Sequence, residues 1–299
     1  MDQTVNIIMP VVSVCIFAYN KEKYIEQCIE SVLMQRTDFE IEIIIGEDYS
    51  TDKTRDICKD YQARFREIIL IDRGKNVGMR ENVYKTIMSA RGKYIAILDG
   101  DDYWIHPFKL QKQYDYLVAH PEVNFCFHQT IRIYEEEGLV SLFVKRGKDF
   151  SSLSDIIDEW TMATGSMFFK KDAMVYPDFL FQTYNFDLAI QLILLKDDSK
   201  AGYISDIMSV YRSNQSANSY NVLYNDYNSW IRLIKLFEDF NNYTNYKYES
   251  IVQKKITSLE YNIKTFNSPT LINRFKSLIK KVLLKFGYKI TLSRKEKIY

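Results

Sequence analysis

Tyr94-Ile95-Ala96-Ile97-Leu98-Asp99-Gly100-Asp101-Asp102 decides how the chain folds. An apolar run leads directly into three carboxylates within four positions. A run with no polar alternation is what a parallel strand covered on both faces requires. Ligands of such sheets gather beyond the carboxyl ends of the strands. The same grammar recurs upstream. Residues 11–17 are almost wholly apolar, residues 41–45 form a second run ending in Gly46-Glu47-Asp48, and residues 68–71 a third, followed by Gly74, Asn76 and Gly78. Between them Ile25, Cys28, Ile29, Val32 and Leu33, then Ile57, Cys58 and Tyr61, then Val83, Tyr84, Ile87 and Met88 recur at helical spacing. Asn20 is expected to cap the first helix, and Ser50 and Asp52 stand where the second begins. Strand and helix alternate every 25–30 residues or so, which predicts right-handed βαβ connections and a parallel sheet. Both acidic clusters then face one crevice.

Downstream the pattern changes twice. Residues 108–120 read as a helix, 123–128 as a strand, 131–144 as a hairpin turning near Glu137-Gly138, and 167–169 as a strand after Thr164-Gly165-Ser166. Residues 187–196 form a helix apolar on more than one side, and 203–212 are extended. Beyond about residue 221 only helical periodicity remains. The expected organisation is an α/β catalytic unit over 1–220, with a nucleotide half to about 105 and an acceptor half beyond it, then a helical extension over 221–299.

Composition narrows the chemistry. The chain has 299 residues, 46% hydrophobic and 26% charged, with a net charge of +1, the balance of a globular protein. Its four cysteines are scattered with no C-x-x-C spacing, as expected for buried free thiols in a reducing compartment. No apolar segment is long enough to span a bilayer, and the first residues lack the basic region of a signal peptide, so the cytoplasm is the expected location. Only His106, His120 and His128 occur, never at ligand spacing. Any metal must therefore be held mainly by carboxylates.

Three carboxylates after a buried strand repel one another unless a divalent cation or hydrogen-bond donors compensate. Mg²⁺ or Mn²⁺ takes oxygen ligands and typically joins one or two carboxylates to phosphate oxygens. The pairing of two acidic strand ends points to a nucleotide and metal site; a solvated acidic turn is the alternative. Glu47 and Asp48 offer acceptors to a base or ribose. Asn76, Gly78 and Asn82 flank a helix start where backbone approaches a ligand closely, a role they share with an ordinary turn and cap.

Four stretches in order carry a resemblance: Val12-Ser13-Val14-Cys15-Ile16-Phe17-Ala18-Tyr19-Asn20, Gly46-Glu47-Asp48-Tyr49-Ser50-Thr51-Asp52, Asn76-Val77-Gly78 with Asn82, and Leu98-Asp99-Gly100-Asp101-Asp102-Tyr103-Trp104. Over residues 10–215 the chain resembles the family 2 glycosyltransferases, inverting enzymes of GT-A fold. That resemblance implies a Rossmann-like mixed sheet with helices on both faces. It implies that Ala18, Asn20, Asp48, Asn76, Asn82, Asp99, Gly100 and Arg212 contact a nucleotide-sugar donor, with Asp48 at the base and Asp99 at the ribose or sugar. Asp101 would bind Mn²⁺ or Mg²⁺, with Asp102 beside it. Asp187, in Asn185-Phe186-Asp187-Leu188, matches the family's general base, and helix capping is its alternative role. Tyr211-Arg212 matches a later Tyr-Arg pair, but Asn214 stands where relatives often carry histidine.

A UDP-sugar donor and the hydroxyl of a growing or lipid-linked glycan are the expected substrates, in surface polysaccharide synthesis. From Leu271 onward nine Lys or Arg face one acid, Glu296. Such a tail either lies on an anionic membrane surface at its inner face or packs on its own domain. Nucleic acid is not an expected partner, since no recognition module or basic stripe runs through the main unit. Two rival readings are a non-catalytic nucleotide-sugar or glycan-binding module, and a sugar nucleotidyltransferase. The second would show a Gly-rich loop after the first strand, where Ala18-Tyr19-Asn20-Lys21-Glu22-Lys23 has no glycine.

Overall fold

The computed structural model describes residues 9–144, 148–159, 162–213 and 227–266. Asn214 and the basic stretch from Leu271 lie outside them. Strands are β1 (Val12–Ala18), β2 (Ile41–Glu47), β3 (Ile68–Asp72), β4 (Tyr94–Asp99), β5 (Tyr103–Trp104), β6 (Val123–Tyr134), β7 (Leu139–Leu142), β8 (Phe150–Ser151), β9 (Phe168–Lys170) and β10 (Lys200–Ser213). Helices are α1 (Ile25–Leu33), α2 (Thr54–Arg64), α3 (Met79–Met88), α4 (Lys109–Ala119), α5 (Leu153–Asp158), α6 (Phe186–Leu195), α7 (Tyr227–Tyr243) and α8 (Glu249–Phe266). The strands form one mixed sheet in the order β3-β2-β1-β4-β9-β6-β10-β5, with β7 on β6 and β8 on β10.

β1 is buried along its whole length, which explains its unbroken apolar sequence. It pairs in parallel with β2 on one side and β4 on the other. The sheet turns mixed where β9 runs antiparallel between β4 and β6. Two cores cover its faces. Ile25, Cys28, Ile29 and Val32 of α1, with Cys58 and Tyr61 of α2 and Leu110 and Leu117 of α4, fill one. Val83 and Ile87 of α3, the apolar length of α6, and Trp230, Leu233, Phe237, Val252 and Leu259 of α7 and α8 fill the other. The extension helices therefore share a core with the sheet. α6 is apolar on every side because both its sheet-facing and its α7-facing surfaces are buried.

Two expectations change. The strand at 123–128 extends to Tyr134, because its far half pairs with β7 across the hairpin at Gly138, which has φ 64°. Asn20 caps no helix: α1 begins at Ile25 with Tyr24 as its N-cap residue, and Asn20 sits in the left-handed region at φ 53°. All four cysteines are free and buried. Among the described residues no helix is long and apolar enough to cross a membrane.

Candidate active site

The register of β1 brings the two acidic strand ends together. Ala18 pairs with Glu47 on one side, and Phe17 pairs with Asp99 on the other. The turn after β4 is fixed from within. Gly100 donates its N–H to the Phe17 carbonyl and Asp102 donates its N–H to the Asp99 carbonyl, at 2.8 and 2.9 Å. A Cβ on Gly100 would stand 3.0 Å from the Phe17 carbonyl oxygen and 3.3 Å from the Ala18 Cβ. Glycine is needed there for packing against β1, and neither Gly100 nor Ala18, itself buried, presents a side-chain position to a ligand.

The three carboxylates of this turn have distinct partners. Asp101 forms an ion pair with Lys21, Nζ to Oδ2 2.5 Å. Asp102 is buried and accepts the Arg212 backbone N–H at 2.8 Å. Burial, then the charges of Asp101 and Asp99, holds its carboxyl well above the ordinary range. Asp99 is half-buried; burial, then Asp101 and Asp187, pushes it up to about 7, against Lys21 and the Thr164 hydroxyl. Such crowding of acid is what a cation relieves. Among the described residues no three His, Cys, Asp or Glu side chains form a metal cage. Mg²⁺ or Mn²⁺ commonly draws only one or two ligands from protein and the rest from phosphate and water. The donor set of this turn fits such an ion.

Asp187 comes to the same cluster from the second residue of α6. Burial raises its carboxyl pKa, while the Leu188 N–H, its own N–H and Thr164 pull it back. Thr164 stands close enough to lower the pKa of both Asp187 and Asp99. Its 3₁₀ turn, Thr164–Ser166, is anchored behind the site by Trp104, whose indole N–H donates to the Gly165 carbonyl at 2.9 Å. Asp187 therefore stands in the first turn of α6, after the N-cap residue Asn185, and its charge acts on Asp99.

Arg212 reaches the cluster from β10. Its guanidinium donates to the Asp101 carbonyl and to the Gln27 side chain, pairs with Glu135 at 3.2 Å, and lies over the rings of Tyr103 and Tyr24 at 4.4 and 5.0 Å. It buttresses the acidic turn from the α1 side.

The β2 and β3 loops are knitted by residues expected to read the donor. Asp48 is buried, and its carboxylate accepts the Val77 and Gly78 N–H groups at 2.7 and 2.9 Å. Asn76 donates to the Asp48 carbonyl at 2.9 Å. Asn82 is also buried, donating to the Gly46 carbonyl at 2.7 Å and accepting from Arg73 at 3.0 Å. Asp48 and Asn82 therefore spend their polar atoms on holding loops in place. Exposed Asn20 ties the β1 and β2 loops, receiving the Thr51 N–H and donating its own N–H to the Ser50 hydroxyl, both at 2.9 Å. Glu47 likewise folds back onto the Tyr49 and Ser50 N–H groups. The residues missed in the sequence are Glu135, Tyr24, Gln27 and Arg73. Glu135 could not be found by local pattern, because strand pairing alone brings it to Arg212.

This arrangement has relatives. The sequence model described as glycosyl transferase family 2 matches residues 13–172, more than half of the chain. The chain belongs to that family. An uncharacterized glycosyltransferase of Methanocaldococcus jannaschii is 30% identical over 208 residues, 68% of this chain and 71% of that one. Uncharacterized mycobacterial proteins are 42% identical over 125 residues, but the match spans only 36% of their own length. Among solved structures, Staphylococcus aureus TarS in complex with UDP-GlcNAc superposes with a TM-score of 0.65 at 16% identity, covering 85% of this chain and 73% of that one. The Pyrobaculum calidifontis mannosyltransferase PcManGT, solved with GDP-Man and Mn²⁺, gives 0.60 at 13% identity, over 93% and 81%. At these identities the likeness concerns the fold, and it is the GT-A fold: a mixed sheet flanked by helices.

Proposed function

We propose that the protein is an inverting, metal-dependent glycosyltransferase that moves a sugar from a nucleotide diphosphate, with a UDP-sugar as the expected donor, to a hydroxyl of a growing glycan in surface polysaccharide synthesis. The observation that carries this reading is the acidic turn after β4, where Asp99, Asp101 and Asp102 stand against the end of β1 with Lys21 and Arg212 bonded to them, and where the charge of Asp187, 88 residues after Asp99, acts on Asp99. A binding module has no need of a further acid there. Solved neighbours with UDP-GlcNAc, or with GDP-Man and Mn²⁺, support a nucleotide-sugar donor and a divalent ion. The relative described as a putative teichuronic acid biosynthesis glycosyltransferase of Bacillus subtilis, 38% identical over 109 residues, supports the polysaccharide setting.

In this reading Asp101, with Asp102 beside it, would hold Mn²⁺ or Mg²⁺. When bound, the ion supplies positive charge to the diphosphate. Lys21 and Arg212 add to that charge from the α1 side as the bond from anomeric carbon to phosphate oxygen breaks. Asp187 takes the proton of the acceptor hydroxyl as its oxygen bonds to the anomeric carbon, and Thr164 keeps the carboxylate aimed. Leaving group and base on opposite faces invert the centre. Asp99 receives the ribose or sugar. Asp48, Asn76 and Asn82 act by fixing the loops that form the base pocket, and Asn20, Ala18 and Gly100 by setting the ends of β1 and β4. The basic tail from Leu271 is assigned to anionic membrane at the inner face, which vesicle flotation with and without the tail tests.

The donor reading is tested by melting the protein with Mn²⁺ and a panel of nucleotide sugars. A ligand at about 100 times its Kd stabilises by about 2.7 kcal/mol. Asp101→Asn should abolish the Mn²⁺-dependent part of the shift and leave the fold intact. Full turnover in EDTA would sink the metal-dependent mechanism.

A further inference from the structure

The rim on the Asp187 side of the crevice carries a pair of cations without acids. Arg80, in the first turn of α3, and Arg232, on α7, both stack on the ring of Tyr184, with guanidinium carbons 4.8 and 4.6 Å from its centroid. Among the described residues neither has a carboxylate partner within 4.0 Å. Glu81 on α3 is taken by Lys85, and Asp239 on α7 by Lys235. Arg80 holds its place by donating to the Gln182 carbonyl at 2.8 Å. Tyr184 is 54% exposed, so the ring and both cations face solvent rather than core.

Two features make this more than surface charge. A cation in the first turn of a helix works against the helix dipole, so α3 gains nothing from Arg80 where it is. One aromatic ring also draws two like charges together, at a cost in repulsion that a bound anion would relieve. Planar guanidinium forks held this way match the paired oxygens of phosphate or carboxylate.

Position in the fold decides which substrate brings the anion. Lys21, Tyr24 and Arg212 lie with α1 on one face of the sheet, where the diphosphate is assigned. Tyr184 is three residues before Asp187 and lies between Arg80 of α3 and Arg232 of α7, two helices whose buried faces fill the core on the other face. An inverting displacement puts the acceptor on the side of the base, away from the diphosphate. Resting on the proposed transfer reaction, we infer that Arg80, Arg232 and Tyr184 form an acceptor subsite for an anionic group, a phosphate or a carboxylate carried by the glycan near the hydroxyl that reacts.

The test uses the full chain with Mn²⁺ and three fluorescently labelled oligomers of equal length: a glycerol phosphate chain, a polygalacturonate and a neutral dextran. At least one anionic oligomer should bind and the neutral one should not, with binding that weakens as salt rises. The tighter of the two anions identifies phosphate or carboxylate as the source. Arg80→Gln and Arg232→Gln should each weaken binding about tenfold, the effect of one lost charge-assisted hydrogen bond, and Arg232→Lys should recover part of it. The inference is overturned if the three oligomers bind alike, if none binds, if the Gln variants bind as the parent does, or if UDP or GDP displaces the oligomer, which would give the arginines to the donor. Release of nucleotide from sugar nucleotides by the unmodified protein is scored separately. Release with no anion preference removes the subsite and keeps the transferase reading. Absence of release from every sugar nucleotide removes that reading itself.

Discussion

Replacing Asp187 by Asn separates catalysis from helix capping. Asp187 is the second residue of α6, where its own and the Leu188 N–H hold its carboxyl pKa down against burial. An Asn oxygen can accept the same bonds, and Asn serves at helix N-termini about as well as Asp. The substitution forfeits a charge at the positive helix end, about 0.3–1 kcal/mol, but also removes a carboxylate that burial disfavours. The two effects oppose, so melting should barely move. Asp187→Ala loses the acceptor as well, about 1 kcal/mol, which lowers Tm by about 2–4 °C in a protein of this size. Turnover is a different matter, because an amide takes no proton at neutral pH. Both variants should lose about 10²–10⁴-fold in kcat, with the donor KM little changed.

The pH dependence has a definite sign. The folded-state pKa of Asp187 is raised above the ordinary 3.8. Its ionised form is therefore disfavoured in the folded protein, and stability from this group falls as pH rises from the ordinary carboxylate value through the raised one. The Asn variant lacks that slope. The acid limb of kcat/KM should likewise sit above pH 3.8. Release of nucleotide diphosphate, followed across pH for parent and variants beside thermal melts, measures all of this. An Asn variant that turns over within a few-fold of the parent would refute the assignment and return Asp187 to a capping role.

Lys21→Met should tighten Mn²⁺ about three- to fivefold, since the Lys21–Asp101 pair competes with the ion and a partly solvated pair is worth about 1 kcal/mol or less; a weaker Mn²⁺ titration would argue that Lys21 assists the ion. Gly46→Ala should destabilise by about 1–3 kcal/mol or more, because its Cβ would stand 2.0 Å from the Thr86 hydroxyl and 2.8 Å from Asn82, as chemical denaturation would register. Arg212→Lys keeps the charge but loses the fork shared by Asp101, Gln27 and Glu135, so about 1–2 kcal/mol of stability and much of the turnover should go; unchanged melting would show that the fork is redundant.

Much of the first part of the sheet was legible from residues 12–104. Unbroken apolar runs ending in polar turns have one economical solution, a parallel sheet with both faces covered, and the acidic ends of β2 and β4 then share an edge. The sequence also marked α6 as apolar on more than one side. What it could not determine was neighbourhood. That β1 lies between β2 and β4, and so brings Glu47 and Asp99 to either side of Phe17 and Ala18, is a matter of strand order. Polar residues that look like ligands by position, Asp48 and Asn82, are consumed by backbone N–H and C=O groups of loops far away in sequence, because buried backbone must be satisfied before any ligand arrives. Asp187, Thr164, Arg212 with Glu135, and the Arg80–Tyr184–Arg232 stack are products of tertiary packing. Their partners are separated by tens of residues or more, beyond the reach of any local period, and only the sheet and its two cores bring those partners together.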